Sequence, residues 1–73
     1  MTKVQVKNNG GYMLVLPKET NAPLLFLEWV SSFRGGYQII HKVIDNQDGV
    51  IKVRLNCLGE QYHECRDYIN ANL

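Results

Sequence analysis

Cysteine is scarce: Cys57 and Cys65 are the only two in 73 residues. That is too few for a disulfide framework or a four-cysteine metal site. A bridge between them would close a short loop and remove little entropy from the unfolded chain. Reduced thiols in a cytoplasmic setting are the expectation. Long apolar runs are missing as well. The longest, Pro23 to Val30, is broken by Glu28 and falls short of the roughly 20 residues that cross a bilayer. No apolar stretch backs Lys3 and Lys7, so the first residues do not read as a signal peptide. Neither sign of charge dominates, since eight Lys+Arg against seven Asp+Glu leave +1. Net charge therefore selects no partner.

What is present is ordinary globular material, with 45% apolar and 21% charged residues. That composition excludes a disordered tail and a collagen-like chain. One domain, residues 1–73, is the most this length allows. Such a domain buries only about 60% of the surface its unfolded chain exposes. Its burial and its ordering entropy nearly cancel, and self-association is the expected remedy.

Asn8-Asn9-Gly10-Gly11 and Asn46-Gln47-Asp48-Gly49 carry turn chemistry, with Gly taking φ > 0 without a Cβ clash. Strand-forming residues flank each: Lys3–Lys7 and Tyr12–Leu16, then Tyr37–Asp45 and Val50–Leu58. A helical pattern follows each hairpin. The first begins at a Thr20 or Asn21 cap with Pro23 in its first turn, and stops after Arg34 at Gly35-Gly36. Phe26, Trp29, Val30 and Phe33 form its buried stripe. The second runs from Glu60 to Asn72 after a break at Gly59, with Tyr62, Cys65, Ile69 and Leu73 inward and Tyr68 marginal. The reading is α+β, in the order ββαββα. Two hairpins join into a four-stranded antiparallel sheet, and both helices pack on one face.

Turn geometry sets register. It pairs Val4 with Leu16 and Val6 with Leu14, then Asn46 with Val50, Val43 with Val53, His41 with Leu55, and Ile39 with Cys57. Tyr37, Ile39, His41, Val43, Ile51, Val53, Leu55 and Cys57 would face the core. The opposite face would hold Gln38, Ile40, Lys42, Ile44, Val50, Lys52, Arg54 and Asn56, with Gln5, Lys7, Met13 and Val15 from the first hairpin. Scattered apolar residues and lysines are normal on a solvated sheet. The sharper reading is a docking face for an acidic partner, with Ile40 and Ile44 supplying area and Lys42, Lys52 and Arg54 steering. It lacks the aromatic platform of nucleic-acid readers.

The first helix holds more apolar side chain than one stripe requires. Leu24, Leu25 and Leu27 lie around the cylinder from Phe26, Val30 and Phe33. A helix apolar nearly all round needs cover on every side. The second helix supplies some of that cover. Leu24, Leu25 and Leu27, with Trp29, are the candidate seam of a homodimer or of a contact with another protein.

Catalytic chemistry finds little footing. His63 and Cys65 sit about 200° apart around a helix, so they cannot share one ion. His41 and Cys57 are diagonal on the sheet, and a packed thiol is the usual state of a free cysteine. Asp45 and Asp48 serve a turn. Glu60 and Glu64 form a like-charge pair on a helix, and no glycine run opens a helix for phosphate. No catalytic residue, metal or cofactor is expected. The expected function is steric: a small protein that inhibits or recruits a larger protein or protein–nucleic-acid complex, the kind that phages and mobile elements encode. A nucleic-acid-binding regulator using the basic sheet face is the alternative, and a structural subunit of a larger assembly is the third.

Overall fold

A computed structural model of the chain describes residues 3–8, 10–45 and 48–73. The elements follow the expected order: β1 (Gln5–Asn8), β2 (Tyr12–Pro17), α1 (Ala22–Ser31), a 3-10 helix (Gly36–Ile39), β3 (Ile40–Asp45), β4 (Val50–Leu55) and α2 (Gly59–Asn72). The four strands form one antiparallel sheet in the order β1-β2-β4-β3. The two hairpins thus meet through β2 and β4, leaving β1 and β3 at the edges. Both helices lie over one face. Leu14, Leu16 and Val53 of the central strands pack there with Phe26 and Val30 of α1 and Tyr62, Cys65 and Ile69 of α2.

The first hairpin has the expected register, with Val6 opposite Leu14 and Gln5 opposite Val15. The second keeps it from Asp45 to Lys42, including Val43 opposite Val53, and then slips. Ile40 pairs with Leu55 across a bulge at His41. An extra residue on one strand reverses the facing of everything beyond it. His41 therefore does not oppose Leu55, and Ile40 turns to the helix side, where it packs against the core. Ile39 does not pair with Cys57 as strand. It ends the 3-10 helix, and its carbonyl accepts the Asn56 N–H at 2.7 Å. Tyr37, expected inside, is 59% exposed on that helix. The expected pair Asn46–Val50 involves a residue outside the described ones, as do Asn9 and Gln47 of the turns. Gly10 and Gly49 have the expected positive φ, +74° and +82°.

Helix α1 ends three residues before Arg34. The Ser31 and Ser32 hydroxyls both donate to the Glu28 carbonyl, at 2.8 and 3.4 Å, and such back-bonding competes with the helical ladder. Short-range bonds from Ser32 N to Trp29 O and from Phe33 N to Val30 O then close the last turn. At the other end Thr20 ties the entry. Its hydroxyl accepts the Ala22 N–H at 3.1 Å and donates to the Pro17 carbonyl at 3.0 Å.

Helix α2 is mostly polar, yet two of its polar side chains complete the sheet. The Tyr62 hydroxyl accepts the Leu55 N–H at 2.6 Å and donates to the Leu55 carbonyl at 2.8 Å. The Asn70 amide does the same for Val4, accepting its N–H at 2.9 Å and donating to its carbonyl at 3.1 Å. The β2–β4 ladder stops at Leu14–Val53, so the phenol fills the place of the next strand residue beside Leu55. Buried backbone groups need such partners. Tyr12 stacks on Tyr62 with ring centroids 5.4 Å apart. Gly59 lets this happen, since a Cβ there would lie 2.5 Å from the Tyr12 ring. Leu73, expected inward, is exposed at the chain end.

Candidate functional site: two sheet faces and an apolar groove

Helix α2 lies over β1 and β2, and α1 packs against α2 and β2. Neither helix extends fully over β3. The result is a groove of about 170 Å³ between α1 and β3, lined by Leu16, Pro23, Phe26, Leu27, Ile40, Val43, Ile51 and Val53. Every lining residue is apolar. Val43, expected in the core, has the right facing but is 54% exposed, because no helix covers this edge. Leu27 beside it is 42% exposed, and Leu24, one turn earlier, is 60% exposed. The outer side of β3 has no strand partner among the described residues.

The expected seam is narrower than Leu24, Leu25, Leu27 and Trp29 together. Leu25 and Trp29 are half-buried against the core. Trp29 also packs on Phe33, with centroids 5.0 Å apart. Both belong to the fold's own packing, which leaves Leu24 and Leu27 as the outward pair. Val43 joins them, faced as alternation predicts but left uncovered.

The opposite face of the sheet is covered by neither helix, although Val15 in its middle is only 9% exposed. Strand pairing sets Gln5, Val15, Lys52 and Ile44 in one row, and places Lys7 beside Met13 and Lys42 beside Arg54 in the next. Lys42, Ile44, Lys52 and Arg54 thus share this face as expected, without Ile40. No carboxylate and no aromatic ring occurs among the described strand residues on it. Two ion pairs lie away from this face. Lys18 meets Asp45, and Arg66 meets Asp67.

At one end of the sheet a shallow pocket of about 240 Å³ is lined by Gly11, Tyr12, His41, Arg54, Leu55, Cys57 and Tyr62. The bulge brings His41 to it, and Arg54 reaches over Gly11, where a Cβ would stand 2.8 Å from a guanidinium nitrogen. Gly11 also has φ +130°, a conformation suited to glycine. Burial raises the Cys57 thiol above its ordinary value, the opposite of what a nucleophile needs. Burial likewise raises Tyr62, whose hydroxyl is already committed to Leu55. Cys65 lies deep in the core, pushed by burial to about 12. Among the described residues no group of three His, Cys, Asp or Glu could hold a metal ion, and no helix is long and apolar enough to cross a membrane.

No protein-family model, curated protein or solved structure matches this chain. The sites above therefore rest on residue chemistry and placement.

Proposed function

We propose that this is a non-enzymatic binding protein, an inhibitor or adaptor that acts by steric contact with a larger macromolecule, and that it works as a homodimer. The observation that carries the reading is the apolar surface where Leu24, Leu27 and Val43 stand exposed beside the groove and the unpaired edge of β3. An exposed apolar patch on a small domain marks an interaction site. An unpaired strand edge beside it offers backbone groups to a second chain.

A second copy fits that surface. Antiparallel apposition of two β3 strands about a twofold at Val43 sets Val43 against its counterpart and Lys42 against Ile44 of the other copy. A twofold at Lys42 would oppose like charges, which is unfavourable. A Val43-centred interface is self-complementary, as a twofold contact requires. It also leaves the open sheet face free for a larger partner.

Light scattering on the Leu24→Lys, Leu27→Lys double variant tests this. A folded monomer is expected, and an unaltered dimer would refute the seam. The nucleic-acid reading draws on one observation, the four cations without a carboxylate on the open face. It predicts binding to generic DNA or RNA with a log–log salt slope of about −3 to −4, one counterion release per contact.

A further inference from the structure

We infer that the open face of the sheet is a docking surface for an acidic protein surface, with one carboxylate of the partner held by Arg54 at the pocket mouth. This rests on the binding-protein reading and names the chemistry of its partner. Lys7, Lys42, Lys52 and Arg54 share the face, and Lys42 stands directly across from Arg54. Two adjacent cations, with no carboxylate among the described strand residues of this face, repel each other mildly in the free protein. An acidic partner turns that repulsion into attraction and also speeds its own approach.

The apolar residues between the cations distinguish a protein from a nucleic acid. Met13 and Ile44, both half-buried, lie in the same two rows as the cations, on either side of the buried Val15, and the half-buried Val50 continues the strip on β4. Aliphatic centre and charged surround is the anatomy of a protein interface. Nucleic acid makes poor use of it. An open four-stranded sheet that reads single strands does so by stacking bases on aromatic rings, and the described strand residues of this face carry none. A broad sheet backed by helices does not enter a duplex groove as one helix or a two-stranded ribbon does.

Arg54 is the anchor because it is both on this face and at the rim of the pocket with His41 and Tyr12. Its guanidinium is placed over Gly11, where any side chain would displace it. A guanidinium in that place offers paired N–H donors to a carboxylate, which a lysine cannot do.

The test is amide chemical-shift mapping of the full chain against a synthetic peptide of mixed Glu and Leu, with polyglutamate, duplex DNA and oligouridine as comparisons. At about 25 mM salt, where screening is weak, the Glu/Leu peptide is expected to move the amides of Met13, Val15, Lys42, Ile44, Lys52 and Arg54. Lys42→Glu with Lys52→Glu should weaken it about tenfold or more by charge repulsion. Arg54→Lys keeps the charge and should still weaken the peptide several-fold, through loss of the paired donors. A melting curve for each variant establishes that it is folded. Absence of shifts at low salt, shifts confined to α1 and β3, or tighter binding of either nucleic acid on this face would each overturn the inference. The Leu24→Lys, Leu27→Lys variant should bind the peptide at this face as the parent chain does, so failure of the dimer seam and failure of this face are separate results.

Discussion

Replacing Tyr62 by Phe removes one oxygen and leaves the ring stacked on Tyr12. That oxygen serves both the N–H and the carbonyl of Leu55, at 2.6 and 2.8 Å, and Leu55 is buried. Each buried backbone group left without a partner costs about 1–3 kcal/mol, so with two such groups the variant should lose about 2–6 kcal/mol. A domain of 73 residues has about 4–11 kcal/mol in all at typical stability per residue. The loss is therefore a large share of the whole. In urea the midpoint should fall with an unchanged slope, and the melting temperature should drop by at least about 8 °C. Protomer concentration must be held fixed, because self-association shifts apparent stability. Tyr68→Phe, on an exposed residue of the same helix, is the control and should stay within about 0.5 kcal/mol. If Tyr62→Phe behaved like that control, the claim that the phenol replaces a strand at Leu55 would be wrong.

Other consequences are as direct. Gly59→Ala would ordinarily favour a helix by up to about 1 kcal/mol, but the new Cβ would meet the Tyr12 ring at 2.5 Å. Overpacking of about 1–3 kcal/mol should win, so urea melts are expected to show net destabilisation. The thiol groups set an alkaline limit. Cys65 is raised from 9.0 to about 12, and Cys57 and Tyr62 move in the same direction. The unfolded chain ionises first, so stability is full below pH 9.0 and is lost as pH climbs toward about 12. Urea midpoints measured across that range should fall. Alkylation at neutral pH should be slow at Cys57 and reach Cys65 only on unfolding.

The hairpins and their registers were legible because side-chain alternation and turn chemistry agree, as at Val43–Val53 and Val6–Leu14. The bulge was not. Ile39 and Ile40 are adjacent and both apolar, so no parity signal in the sequence shows where one residue slips. Both end up packed, Ile39 from the 3-10 helix and Ile40 from β3. That slip moved Ile40 off the open face and left Lys42, Ile44, Lys52 and Arg54 where alternation had put them. Val43 illustrates a different limit. Its facing follows from register, but its exposure depends on how far a helix reaches, which periodicity does not encode. Excess apolar surface on α1 was visible, yet which leucines stay outside depended on α2 and the 3-10 segment. Tyr62 was legible as an inward residue and is buried, but not that its hydroxyl serves Leu55; Asn70 escaped notice because a polar residue on a helix ordinarily reads as solvent-facing.

Sedimentation equilibrium of the unmodified chain over a wide concentration range decides whether Leu24, Leu27 and Val43 are covered by a second copy. A folded species at twice the chain mass of 8.4 kDa is expected, dissociating only on dilution. A single species at 8.4 kDa across the whole range, with Leu24, Leu27 and Val43 stably facing water, would contradict it.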